Sequence, residues 1–522
     1  MMFKFFIPLF LLFISFQSQA AYRVLFEIID GVKTPVSAVE VNQFAPTTGI
    51  ALRVNEDFQE WLLEELPCEL NLVNVQETWA GSEVRQLVAQ GPDDNRITLT
   101  IVGDGYTASE KEKFFADAQR ITDDLFGEKT FASYLALFNV YAVFVPSKHS
   151  GLSNRKGEKN TALGLYRWPS GSKRGILPSN KRSAEKALRL APAMADYPIL
   201  LANDEYYGGL GGRYAITTRS PTSGSMVLRH ELGHNFSEVG EEYDGGQVYS
   251  GANFSRDSKK WKQWLDTEKT FKAEQLIGDY VWHDLNKKSY KKTFKVPKGG
   301  EHLEFLISSV GWDEPESVEC YIDDQRVELA GVYTKDRSFF KLKTPAALKP
   351  GTHTVEFRAK KLAHENLLAY VRVFSIPSGF IKDRHHYAGY TTYNNLGRAV
   401  GYRPTYDTCL MRNMRSTDFC FVDQENMWLQ FLARLSLVDD FIVDKSEDNA
   451  STVRVESFDH DDLRFYWYQK DHNGNYIELS DLRDVREVSL SNGEKYKVLI
   501  RFESDEVRKS SRHLELEHKF SI

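Results

Sequence analysis

Ser225-Met226-Val227-Leu228-Arg229-His230-Glu231-Leu232-Gly233-His234-Asn235-Phe236 is the stretch on which the reading of this chain turns. Its apolar members, Met226, Val227, Leu232 and Phe236, fit a buried helix. The run Ser220-Pro221-Thr222-Ser223-Gly224 before it supplies a turn and a possible cap. Four residues along a helix advance about 400°, so His230 and His234 share one face, a turn apart. Two imidazoles so placed can each present a nitrogen at about 2.0–2.1 Å to one tetrahedral zinc. Glu231, beside the first histidine, is aimed at a water on the metal rather than at the metal itself. Gly233 leaves room for another element to pack closely. With 13 histidines in the chain, a chance HExxH has an expectation on the order of 0.02. The competing use of the pair, as core histidines satisfied by carbonyls, fits less well with a motif that follows a strand and a turn.

A catalytic site with an open position needs a third protein ligand. Downstream comes Ser237-Glu238-Val239-Gly240-Glu241-Glu242-Tyr243-Asp244. The pattern HExxHxxGxxH would need a glycine at 237 and a histidine at 240, and it is excluded. Gly240 is expected to end the helix in a left-handed conformation and swing the following acids back. Glu242 is the first choice for the third ligand, Glu241 the alternative and Asp244 the third, with Glu238 a solvated acid.

Around this segment the chain alternates strands and helices, the texture of an α/β layer. Ile97-Thr98-Leu99-Thr100-Ile101-Val102 reads as a buried strand. Residues 109–126 carry Phe114, Phe115, Ala118, Ile121 and Leu125 at helical spacing, and 138–145, 197–202 and 213–218 read as further strands. Residues 150–186, rich in Gly, Ser, Asn, Lys and Arg, form a long surface loop near a functional face. Upstream, residues 21–92 alternate at period two and predict a small N-terminal β domain. Residues 290–378 do so with Pro and Gly turns at sandwich-like intervals, which predicts an immunoglobulin-like β-sandwich. It interrupts a catalytic domain whose two parts are 93–289 and 379–440. Residues 441–522 read as a C-terminal β domain.

The chain has 522 residues and a formal net charge of −7 with both signs mixed, which argues against a nucleic-acid partner. Residues 1–20 carry Lys4, an apolar run and small residues at 18 and 20, the layout of a secretory signal peptide. After its removal no stretch is long and apolar enough for stable membrane insertion, and a secreted or periplasmic location follows. There are four cysteines. Cys409 and Cys420 are close enough in sequence to form a disulfide in an oxidising compartment, whereas Cys68 and Cys320 read as buried thiols.

His230-Glu231-Leu232-Gly233-His234 followed after six residues by Glu241-Glu242-Tyr243 resembles the bacterial IgA-metallopeptidase type of zinc peptidases. Further matches are Gly103-Asp104-Gly105-Tyr106-Thr107, Ser150-Gly151, Thr161-Ala162-Leu163-Gly164, Tyr207-Gly208-Gly209, and Tyr402-Arg403-Pro404 with Cys409-Leu410-Met411-Arg412. The family usually has Asp then Glu at the acidic pair; here Glu241 takes the first place, so a ligand there needs a longer side chain than usual. The resemblance implies a zincin-like α/β catalytic domain, a mixed sheet with the HExxH helix, flanked and interrupted by β-sandwich domains. It also implies one zinc ion per chain and a turn at Met411 supporting the site from beneath. The activity it implies is a metalloendopeptidase acting on protein or peptide substrates. In that reading zinc activates water and polarises the scissile carbonyl, Glu231 is the general base, and Tyr243 and Tyr402 are candidate donors to the transition state. Arg213, on the expected edge strand, could meet substrate or form a surface ion pair. Two other readings stay open. One is an extracellular glycan- or protein-binding protein with a vestigial zinc site and contacts through its β domains. The other is a zinc amidase acting on cell-wall peptides.

Overall fold

A computed structural model describes residues 79–522 apart from 128–129, 169–173, 245–249, 301, 345, 364, 395 and 447–448, together with the backbone of four strands between Ala21 and Leu63. The expected signal segment and Cys68 lie outside the described residues. The chain divides into two compact units, Met1–Val75 and Gln76–Ile522. In the first, the strands run antiparallel in the order Val32–Val41, Ala21–Ile29, Phe58–Leu63, Ala51–Val54.

The second unit is organised on a six-stranded sheet in the order Gly209–Leu210, Ala215–Thr218, Tyr197–Ala202, Ile97–Asp104, Phe138–Phe144, Glu83–Val88. The four inner strands are parallel and the two edges antiparallel. All eight residues of Ile97–Asp104 are buried, as expected of a parallel strand covered on both faces. Successive side chains on a strand point to opposite faces. Accordingly Leu99, Ile101, Val140, Ala142, Ile199 and Leu201 join one apolar cluster, and Val102, Tyr141, Val143, Leu200 and Ala202 join another. The first cluster is completed by helices α1 (Lys111–Phe126), α3 (Gly224–Ser237) and α4 (Phe421–Leu432), and the second by α2 (Lys181–Leu188). On α1 the predicted stripe Phe114, Phe115, Ala118, Ile121 and Leu125 is buried.

Glu83–Val88 corrects the boundary expected at 92. It pairs with Phe138–Phe144 and belongs to this sheet. Alternating sequence announces a strand but does not say which sheet it will join.

The boundary expected at 290 shifts for a related reason. All nine residues of Leu367–Ser375 are buried, and a buried strand must satisfy its backbone on both sides. His302–Val310 does so on one side and Glu274–Asp279 with His283–Asp284 on the other. A second sheet, ordered Tyr290–Val296, Gly351–Ala359, Val318–Ile322, Gln325–Val327, shares one apolar cluster with the first through residues including Phe294, Phe305, Val355, Phe357 and Val371. The C-terminal strands form two further antiparallel sheets. Their Trp467, Ile500 and Phe502 lie in the same cluster as the core of the six-stranded sheet. Trp428 of α4 stacks near Phe502 with ring centroids 4.5 Å apart, so this β region packs continuously onto α4. Among the described residues no helix is long and apolar enough to cross a membrane.

Candidate metal centre

Helix α3 lies against the Ala215–Thr218 side of the sheet and against α1 and α4. Its N-terminus is held from outside. Ser220 and Ser223 donate from their hydroxyls to Asp336 Oδ2 at 2.5 and 2.7 Å. Asp336 Oδ1 accepts the Tyr207 backbone N–H at 2.9 Å. A carboxylate there faces the positive end of the helix dipole. The helix ends at Ser237, and Glu238 takes the left-handed conformation (φ 52°, ψ 36°) that had been expected of Gly240.

Within α3 the two histidine rings stand edge to face, centroids 4.8 Å apart. His230 Nδ1 lies 3.3 Å from the Leu410 carbonyl, and His234 Nδ1 lies 2.7 Å from the Val239 carbonyl. With an N–H at each Nδ1, both Nε2 atoms are left as electron-pair donors, the arrangement that fixes a ligating histidine's tautomer and orientation. These Nε2 atoms converge on one carboxylate: His230 Nε2 is 3.1 Å from Glu241 Oε2, and His234 Nε2 is 3.4 Å from Glu241 Oε1. The structure thus corrects the first choice of third ligand: it brings Glu241 to the imidazoles, while Glu242 turns the other way. Burial pushes His234 down, but the hydrogen bond and charge of Glu241 outweigh it and lift His234 to about 9. Burial works to raise Glu241, but the two histidines hold its carboxyl well below the usual range.

Glu231 is outside this trio and 9% exposed. Gly211, just beyond the edge strand Gly209–Leu210, passes so close that a methyl group there would overlap Glu231 Oε2. Gly233 is approached from behind: a Cβ on it would stand 2.5 Å from Phe419 Cε1 and 2.8 Å from Met411 Sδ. Met411 is fully buried, and its carbonyl accepts the Glu242 N–H at 3.2 Å. Arg412 donates from Nη1 to the Glu242 carbonyl at 3.0 Å and pairs through Nη2 with Asp244 at 2.8 Å. Asp244, the third candidate ligand, therefore belongs to an ion pair that fastens the stretch after α3.

Tyr243 stacks on His230 with centroids 5.5 Å apart and ring planes 17° apart. Burial and then the charge of Glu241 raise its hydroxyl well above the ordinary value. Tyr402 goes elsewhere: it lies in Ala399–Arg403 with its ring against Gly389, and no described contact joins it to the histidines. Arg213 pairs with Glu185 at 3.2 Å, both nearly buried. The disulfide expected between Cys409 and Cys420 is not formed; both are buried free thiols. Cys409 Sγ donates to Asp423 Oδ2 at 3.0 Å, and this polar partner takes the place of a sulfur–sulfur bond.

The set His230, His234 and Glu241 has the donor types and spread of a catalytic zinc site, with two nitrogens and one carboxylate. Sequence reasoning missed the Leu410 and Val239 carbonyls, Gly211 and Asp336. Backbone carbonyls leave no trace in residue identity, and Asp336 is more than 100 positions from the helix it caps. Residues 86–289 match the family model described as IgA Peptidase M64. No curated protein matches the chain at a significant level.

Proposed function

We propose, for a chain whose residues 86–289 match the IgA Peptidase M64 family model, that His230, His234 and Glu241 hold a zinc ion and that Glu231 is the general base of peptide-bond hydrolysis. The observation that carries the reading is the convergence of both Nε2 atoms on the two oxygens of Glu241. A zinc ion at those three residues would act as a Lewis acid on water and on the scissile carbonyl. Glu231 takes the proton of the attacking water and returns it to the departing amine. The Leu410 and Val239 carbonyls keep the imidazoles in register through the reaction. Tyr243, beside His230, is the donor placed to stabilise the developing oxyanion. Gly209–Leu210 is the edge strand of the sheet, and its Gly209 N–H donates to the Arg174 carbonyl at 3.0 Å.

The substrate is a protein or peptide, and export to the periplasm or beyond is part of the proposal on the strength of the first twenty residues. The test is a set of variants assayed on a mixed peptide library with and without chelator. Glu231→Gln retains zinc and loses at least about 10²-fold in kcat. His230→Ala, His234→Ala and Glu241→Ala lose both metal and activity. A Glu231→Gln protein that cleaves at the parental rate would overturn the mechanism. Cleavage of cell-wall peptides but not of the library would favour the amidase reading.

A further inference from the structure

Glu242, Cys409, Cys420 and Asp423 form a second group of ligand-type side chains, all buried, with donor atoms that all lie within 4.8 Å of one another. They come from three segments: the stretch after α3, the turn preceding Met411, and the first turn of α4. None of them belongs to the His230–His234–Glu241 set.

Two observations point to a cation site rather than to ordinary packing. First, among the described residues no donor stands within normal hydrogen-bond distance of either carboxylate oxygen of Glu242 or of Asp423 Oδ1, and each of these atoms is sealed from solvent. Glu242 is 1% exposed and Asp423 is 0% exposed. Buried carboxylate oxygens without partners are costly, and this fold keeps three of them on two neighbouring side chains, both on Glu242 and one on Asp423. Second, the cluster contains two free thiols, and thiolate is the donor that selects zinc over magnesium or calcium.

We propose that Glu242, Cys409, Cys420 and Asp423 bind a second metal ion of the zinc type. The site is structural: four protein donors leave no open position for substrate. Donor atoms around a tetrahedral zinc lie about 3.3–3.8 Å apart, so the observed cluster needs only a small contraction. Cys409 Sγ and Asp423 Oδ2 are already at 3.0 Å. On binding, the two thiol protons pass to solvent and the Cys409–Asp423 hydrogen bond gives way to metal contacts. Two thiolates and two carboxylates exceed the charge of one dication. Arg403 and Arg412, whose charges reach Glu242 and which also pair with Asp244, offset part of the excess. The bound ion would tie together the backbone that carries Glu241, the turn whose Leu410 carbonyl orients His230, and the start of α4. It would thus preorganise the catalytic ligands without touching substrate.

The experiment uses the full chain, treated with chelator under a non-thiol reductant and then titrated with Co²⁺. Thiolate ligation gives a near-ultraviolet sulfur-to-cobalt charge-transfer band, which histidine and carboxylate ligands cannot produce. The band is expected in the parent and in the His230→Ala/His234→Ala double variant, and it should disappear when zinc is added. Cys409→Ser and Cys420→Ser should each weaken it by half or more, and the double serine variant should abolish it. A folded, reduced parent chain that takes up Co²⁺ with no such band overturns the proposal. So does a band that survives in the double serine variant, or an intact mass showing Cys409 linked to Cys420 in protein isolated without reductant. The outcome is independent of catalysis: an active Glu231→Gln enzyme would end the mechanism above and leave this site standing.

Discussion

A single backbone conformation decides which acid reaches the histidines. Glu238, exposed and just past the last residue of α3, sits at φ 52°, where a side chain with a Cβ costs roughly 1 kcal/mol relative to glycine. The reversal at Glu238, followed by Val239 lending its carbonyl to His234, sets the register in which Glu241 faces back and Glu242 faces away. Glu238→Gly is expected to raise stability by about 1 kcal/mol with zinc affinity unchanged, measured by denaturant unfolding and metal content; a loss of stability would contradict the strain argument. Spacing made the shared face of His230 and His234 legible, because helical geometry is regular over four residues. It could not choose between Glu241 and Glu242, because the choice depends on dihedral angles in irregular chain. Nothing in the letters marks Glu238, rather than Gly240, as the left-handed residue.

At the scale of elements, two turns hold acidic side chains in place. The first is the edge strand and the glycines after it. Gly211→Ala would push on the flexible end of Glu231 rather than on backbone, so the fold should survive while the base is displaced. We expect kcat to fall about tenfold or more with zinc content intact, since small misplacements of a catalytic group are costly; unaltered kcat would remove Gly211 from the argument. The second is the entry to α1. Glu110 accepts from the Thr107 backbone N–H at 3.0 Å, Ser150 Oγ at 3.0 Å, Lys113 Nζ at 3.2 Å and Asn203 Nδ2 at 3.2 Å. Burial alone would raise this carboxyl, but those donors outweigh it and bring it from 4.5 to about 2. A depressed carboxylate stabilises the fold in full above its unfolded value of about 4.5, and the contribution fades as pH falls toward 2. Glu110→Gln should therefore cost about 1–2 kcal/mol at neutral pH, allowing for partial solvent screening. That gap should narrow steadily below pH 4.5 in unfolding curves, and a gap independent of pH would refute the assignment. Elements of this kind were readable as strands and helices from periodicity. Their pairings were not, as Glu83–Val88 and Glu274–Asp279 show, because alternation carries no address.

For the whole molecule, one tie between distant parts runs through Asp336. It reaches from the loop before Arg337–Leu342 to Ser220, Ser223 and the Tyr207 backbone. Asp336→Ala leaves those buried donors unanswered and should cost about 2–4 kcal/mol. Activity is expected to fall with it as the start of α3 loosens. Calorimetry together with peptide turnover would check both, and an unchanged melting temperature would count against the tie. No pattern in the sequence could announce this contact, since its partners lie 113 and 116 positions apart.

Excising residues 274–375 to obtain a minimal core around the six-stranded sheet would consequently remove the acid that seats the helix carrying His230 and His234. Any successful truncation or graft must bring a replacement carboxylate for Ser220 and Ser223. By the same logic, an insert transplanted from a relative is interchangeable only if its own loop delivers such an acid to that spot.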